Sequence, residues 1–503
     1  MTNDQMPAAV IPHWISGQAD LPADTRTGPV FDPALGREIR RVALASREDA
    51  DRAIESAHAA HLAWRDMSLA KRTAILFKFR ELLNARKGEL AAIITEEQGK
   101  VLDDALGEIA RGQEVVEYAC GITSHLRGHF SEQVSTGFDI HSVRQPIGVA
   151  AIISPFNFPA MVPMWFFPIA IAAGNAVVVK PSEKNPSAQL WMAELWREAG
   201  LPDGVFTVLN GDKTAVDALL EHPKVASVSF VGSTPIAQYV YETGTRNGKR
   251  VQALGGAKNH MLVLPDADID LVADSAINAG FGAAGERCMA ISVVVAVGDV
   301  ADRLVPKLTE RMANLRVGDG RRACDMGPLV TEAHRDKVAS YIDIAREDGA
   351  DVVVDGRGID VDGEPDGFWL GPTLLDRVPT SSRVYTDEIF GPVLSIVRVD
   401  SFDEGIDLIN NGAFGNGTAV FTNDGGAARR FAREIEVGMV GVNVPIPVPI
   451  AAYSFGGWKA SIFGDTKAHG AEGVKFFTAE KAVTTRWLDP SHGGINLGFP
   501  QND

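Results

Sequence analysis

Apolar residues change their spacing twice along this chain of 503 residues. The opening 40 or so residues are rich in Gly, Pro and Asp and show no sustained period. Ser46 with Asp49 three positions on makes a capping-box start to an amphipathic helix, and helical spacing dominates from there to about Gly121. After Gly148, short apolar runs at 149–153, 176–179, 205–209 and 225–231 alternate with helical stretches. That rhythm predicts a parallel sheet wrapped by helices. A second region of the same kind begins near Met261, with candidate strands at 292–296, 351–354 and 393–397. It predicts a second α/β lobe. Residues 133–149 alternate as a protruding hairpin would, and 481–487 form a matching extended run near the other end. Two such arms with exposed edges call for a partner, so an oligomer is expected.

The longest apolar stretch, 158–173, contains Pro159, Pro163 and Pro168 and falls short of the ~20 residues that span a bilayer. A buried loop and helix are expected there instead. A chain this long exceeds the ~250–300 residues at which one core stops growing, so at least two lobes are required. Lys+Arg 48 against Asp+Glu 65 leaves a net charge of −17, which repels nucleic acid and anionic membrane surfaces alike. Three cysteines far apart form neither a disulfide framework nor a metal site, and the N-terminus has no basic or apolar leader pattern. A reducing, cytoplasmic setting is the expectation, with no metal.

Candidate chemistry begins at Cys288 in Gly285-Glu286-Arg287-Cys288-Met289-Ala290. A single cysteine is usually a small buried hydrophobe, and Cys120 in a helical run and Cys324 in a polar turn read that way. Cys288 differs because it sits among Gly, Glu and Arg, and a cation at Arg287 is expected to lower the thiol pKa. Upstream, Ser154-Pro155-Phe156-Asn157-Phe158-Pro159 offers a side-chain amide able to hold an oxyanion. Together they suggest acyl chemistry on an aldehyde. No GxGxxG stands at a strand-to-helix junction; Gly232-Ser233-Thr234 ends a predicted strand, and Pro235 suits the first turn of the next helix. Free amides there could hold a pyrophosphate, although such turns are common without one. Lys180-Pro181-Ser182-Glu183 closes another strand with a cation and a carboxylate, and a carboxylate on the ribose favours NAD over NADP.

Asn157 in its Phe-Asn-Phe-Pro setting, the Lys180 to Glu183 run, Phe230-Val231-Gly232-Ser233-Thr234, Cys288 and Glu388-Ile389-Phe390-Gly391-Pro392 follow the order found in the aldehyde dehydrogenase superfamily. The resemblance covers nearly the whole chain. It implies an α/β fold with a Rossmann-like NAD-binding domain at 1–128 and 147–255, a catalytic domain at 256–460 and a small β oligomerisation arm at 129–146 and 478–503. It also implies Cys288 as nucleophile and Asn157 with the Cys288 amide as oxyanion hole. Ser154, Phe156, Lys180, Glu183, Gly232 and Ser233 are then cofactor contacts, and Glu388 with Phe390 grips the nicotinamide end. Ordinary core packing for Phe390 and a cap or ion pair for Glu388 are the plainer readings.

Hydrolytic members of that superfamily carry Glu-Leu-Gly-Gly-Lys, whose glutamate activates water. The corresponding run here is Leu254-Gly255-Gly256-Ala257-Lys258. Losing a general base typically costs ~10²–10⁴-fold. A thiol acceptor with a pKa near ~8.5 suffers less, so the site suits acyl transfer to coenzyme A. The segments 256–260, 232–235, 441–445 and 457–461 resemble the CoA-acylating methylmalonate-semialdehyde dehydrogenases, although Gly255-Gly256 departs from the Thr-Gly or Met-Gly often found there. That branch oxidises methylmalonate or malonate semialdehyde and releases propionyl-CoA or acetyl-CoA, and the resemblance favours a homotetramer. Arg111 and Arg287 compete to bind the substrate carboxylate; the residues alone favour pairing of Arg111 with Glu108 or Glu114 at helical spacing, and its match to an arginine of the branch it resembles implies the carboxylate role instead. Lys258 reads as a solvated or cofactor-proximal lysine, with a catalytic role as the alternative. A hydrolytic enzyme using Glu286 or Glu388 as its base, a non-catalytic structural member and a CoA-binding module are the rival readings.

Overall fold

The computed structural model describes residues 9–361 and 363–488. Ser46 and Asp49 form the reciprocal capping box at the start of the helix Arg47–Trp64, and the helices Leu69–Gln98 and Leu102–Cys120 follow. The helical opening and both strand-rich regions lie where the apolar spacing places them.

The first sheet has eight strands, and its five central ones are parallel: Arg250–Leu254, Val225–Val231, Val149–Ile153, Ala176–Lys180 and Phe206–Val208, in that spatial order. Their side chains feed alternate clusters. Ala150, Ile152, Val177 and Val179 enter one core, while Val149, Ala151, Ile153, Ala176 and Val178 enter another. A strand covered on both faces is apolar throughout, which is why these runs were legible. The chain moves outward from Val149–Ile153 in one direction, then returns to build Val225–Val231 and Arg250–Leu254 on its other side. Strand order therefore reverses between Val149–Ile153 and Val225–Val231, and ligands of open α/β sheets bind beyond the carboxyl ends of strands at such a reversal.

The second sheet has seven strands, six of them parallel, with Asn259–Val263, Ile291–Val297 and Val393–Val399 near its middle. Asp351–Val354 joins its edge antiparallel. The hairpin Phe130–Ser135 and Phe138–Pro146 and the tail strand Thr478–Arg486 do not form separate arms; they pair with each other in one three-stranded sheet. Of the expected arm, 489–503 lies outside the described residues. Short strands His13–Ile15 and Gln18–Asp20 extend the first sheet from a stretch that shows no period in sequence. The stretch 158–173 is buried almost throughout and carries the helices Met161–Met164 and Phe167–Ala173. No described helix is long and apolar enough to cross a membrane.

Candidate active site

Cys288 follows a strained turn and precedes the central strand Ile291–Val297. Ala283, Ala284 and Gly285 take φ of 49°, 52° and 72° in succession, a left-handed run that alanine adopts only at a cost. Gly285 is required by space as well, since a Cβ there would lie 2.3 Å from the Gly391 carbonyl oxygen. Two anchors hold the turn. The Ala283 amide donates to Asp104 Oδ2 at 3.0 Å, and the other Asp104 oxygen pairs with the Arg287 guanidinium.

The oxyanion loop leaves the carboxyl end of Val149–Ile153. Asn157 is buried, and its Nδ2 donates to the Glu286 carbonyl at 3.0 Å, two residues before Cys288. Sequence positions 129 apart thus meet, and the second Nδ2 hydrogen and the Cys288 amide stay as candidate oxyanion donors. Burial pushes the Cys288 thiol up to about 12, with the charge of Glu388 adding to the effect. Arg287 lowers it in the direction expected, but by less than burial raises it, and Asp104 is paired with that cation. The cation acts as expected in direction, and it is burial that keeps the thiol from being activated.

Cys288, Arg287, Asn259, Ala257, Glu388 and Phe390 line one cleft. Glu388 is neither a helix cap nor half of an ion pair within salt-bridge distance among the described residues. Its Oε1 accepts from the Ala257 amide at 2.7 Å, and burial raises it to about 7. Gly256 lets it approach, since a Cβ there would meet Glu388 Oε2 at 2.3 Å. Phe390 has φ 61° and meets Phe156 edge-on at 5.9 Å, so it is a strained wall residue more than ordinary core. Lys258 is not solvated. It is buried, donates to the Val384 and Asp387 carbonyls at 2.7 and 2.8 Å, and desolvation pulls it down to about 7.

At the sheet reversal, Gly232 and Ser233 precede the helix Thr234–Arg246, whose first turn contains Pro235 and whose Ser233 cap makes no side-chain hydrogen bond. Lys180 and Glu183 pair at 3.1 Å beyond the neighbouring strand. Ser154 Oγ, at the end of Val149–Ile153, is buried without a hydrogen-bond partner among the described residues. An open helix start, an orphaned hydroxyl and a ribose-range carboxylate fit a dinucleotide.

Leu254 is 3% exposed and shares a core with Met289 and Met439, against which Cys288 packs. The position that bears a water-activating glutamate in hydrolytic relatives is therefore apolar in its surroundings as well as its identity. Glu286, the other conceivable base, is buried and turned to the Gln98 amide at 3.0 Å, the Val330 amide at 3.3 Å and the His334 ring at 3.5 Å. Burial raises it to about 8.

Arg111 pairs with Glu114 at 2.8 Å and also donates to the Val448 and Pro449 carbonyls at 3.1 Å each. It does not pair with Glu108, which is buried against Lys100. Lys100, Glu108 and Asp104 were missed in sequence. Asp104 and Glu108 look like any charged residues of the helix Leu102–Cys120, Lys100 like a polar link residue ahead of it, and only the fold turns them inward.

The model of the aldehyde dehydrogenase family matches residues 21–483. The malonate-semialdehyde dehydrogenase of Pseudomonas aeruginosa is 53% identical over 492 residues, covering 97% of this chain and 99% of the relative. A crystal structure of methylmalonate-semialdehyde dehydrogenase from Oceanimonas doudoroffii superposes with a TM-score of 0.94 at 51% identity, covering 96% of this chain and 99% of that one. A protein of Sinorhizobium meliloti 1021, solved with NAD and provisionally described as a methylmalonate-semialdehyde dehydrogenase, gives a TM-score of 0.95 at 49% identity, with 96% and 99% covered.

Proposed function

Because this chain belongs to the aldehyde dehydrogenase family, we propose that it oxidises methylmalonate or malonate semialdehyde with NAD and passes the acyl group, after loss of CO2, to coenzyme A. The products are propionyl-CoA or acetyl-CoA. The observation that carries the acylating reading is Leu254, buried in the apolar core that also holds Met289 and Met439, where hydrolysis needs a carboxylate. Relatives at 53% and 46% identity that bear the malonate-semialdehyde dehydrogenase name support the substrate class.

Ser154, Gly232 and Ser233 would hold the cofactor phosphates, Lys180 and Glu183 the adenosine ribose, and Phe156, Glu388 and Phe390 the nicotinamide end. When bound, NAD supplies the hydride acceptor. Cys288 attacks the aldehyde carbon as its thiolate, and Asn157 Nδ2 with the Cys288 amide holds the oxyanion, at ~3–4 kcal/mol per donor in comparable sites. Loss of hydride leaves a thioester on Cys288. Its carboxylate lies β to the thioester carbonyl, so the C–C bond electrons can flow into an enolate held by the same two donors as CO2 departs. Protonation at carbon gives the acyl thioester, and the coenzyme A thiolate displaces Cys288. We assign the substrate carboxylate to Arg111, with Arg287 at the cleft wall as the second cation. The sheet around Val149–Ile153 is read as the NAD-binding domain, the sheet around Ile291–Val297 as the catalytic domain and the three-stranded sheet as the contact of a cytoplasmic homotetramer.

NADH formation from each semialdehyde, with and without coenzyme A and with acyl products identified by mass, tests this reading. Dependence on coenzyme A with acetyl-CoA or propionyl-CoA formed upholds it. Equal rates without coenzyme A and a free acid as product would replace it with a hydrolytic aldehyde dehydrogenase.

A further inference from the structure

Lys100 and Glu108 are charged side chains with no solvent exposure, 2.7 Å apart. Burying two charges is expensive, and an apolar pair of similar volume often stabilises a core as well or better. Their remaining bonds show where the pair is used. Lys100 Nζ donates to the Asn157 carbonyl at 2.6 Å and lies 4.2 Å from the Phe158 ring centroid. Glu108 Oε1 accepts the Ala160 and Met161 amides at 2.8 and 3.1 Å. All of these contacts fall within the five residues 157–161.

The same unit reaches the nucleophile turn. The Lys100 amide donates to Gln98 Oε1 at 3.0 Å, and Gln98 Nε2 donates to Glu286 Oε2 at 3.0 Å. Asn157 Nδ2 closes the circuit on the Glu286 carbonyl at 3.0 Å. We propose that Lys100 and Glu108 are positioning residues that set the Asn157 amide against the Cys288 turn, so that the oxyanion donor and the nucleophile keep one geometry. Neither touches substrate. The inference rests on Asn157 being an oxyanion donor.

A double-mutant cycle separates positioning from general stability. Lys100→Met, Asn157→Ala and the double variant are compared in single-turnover NADH formation from malonate semialdehyde. Lys100→Met is expected to slow that step about 10- to 100-fold, less than the ~10²- to 10³-fold loss of a whole oxyanion donor because the Asn157 amide is displaced and not removed. KM for the semialdehyde and Kd for NAD should stay within about twofold, since ground-state contacts are untouched. In the Asn157→Ala background the same change should cost less than about threefold, because sites acting through one group are not additive. Equal losses in both backgrounds would overturn the proposal and leave the pair a structural element. If Asn157→Ala keeps the full rate, the oxyanion reading itself fails and this inference falls with it. Glu108→Gln enters the same cycle, with the same two readings, should Lys100→Met not fold.

Discussion

Asn157 donates its side-chain amide to the Glu286 carbonyl at 3.0 Å, which ties the loop after Val149–Ile153 to the chain two residues ahead of Cys288. One hydrogen bond thus joins the two sheets at the point where acyl chemistry would occur. Asn157→Ala should lower kcat about 10²- to 10³-fold, the typical loss for one oxyanion donor. Steady-state NADH formation with unchanged NAD affinity checks it. A loss confined to KM would place Asn157 in substrate binding instead.

Cys288 reacts only as thiolate, and burial together with Glu388 holds its pKa at about 12 in the free chain. Alkylation by iodoacetamide, followed by mass at Cys288, should therefore be slow at pH 7 and keep rising beyond pH 10. The negative charge of Glu388 raises the thiol pKa, so Glu388→Gln should lower it and speed alkylation severalfold at fixed pH. No change in that rate would show that the two groups do not interact.

Leu254→Glu would place a carboxylate where the core is now apolar. Product formed without coenzyme A should rise at least about a hundredfold, the lower end of general-base assistance, and free acid should replace part of the acyl-CoA. Leu254→Gln matches the size without the base and should leave the product distribution as it is. Acid formed equally by both variants would mean that admitted water, not a base, limits hydrolysis.

Arg111→Leu leaves the Val448 and Pro449 carbonyls and Glu114 without their donor. It should raise KM for a semialdehyde acid at least about tenfold while changing KM for propanal little, since removing a hydrogen-bonded charge partner costs about 1.4 kcal/mol or more. Equal effects on both substrates would remove Arg111 from carboxylate binding.

Burial raises Glu286 to about 8 from its ordinary 4.5, so the folded chain favours the protonated acid. Its stabilising preference is complete below about pH 4.5 and is lost as pH rises through 8. Glu286→Gln removes that dependence. Its melting temperature relative to the parent should climb between pH 5 and 8, and a gap independent of pH would contradict a protonated Glu286.

Much of this protein was legible because its signals are local. The capping box at Ser46 and Asp49, the runs at 149–153 and 225–231 and the order of the Asn157, Gly232, Cys288 and Glu388 segments each lie within a few consecutive residues. A strand buried on both faces is apolar throughout wherever the sheet later places it, and Leu254 declares a missing base by identity alone. The outlying strands His13–Ile15 and Gln18–Asp20, three residues each, were too short to leave a period. What depends on distant partners was not legible. Arg287 reads as a free cation until the fold sets Asp104 against it from 183 positions away. Glu108 reads as a candidate partner of Arg111 and Lys100 carries no signal at all until the fold buries the two against the Asn157 loop. The reversal of strand order, which decides where a dinucleotide lies, belongs to no segment. Short-range spacing determines which elements form, whereas pairing of charges and order of strands arise only when separate elements exclude water from between them.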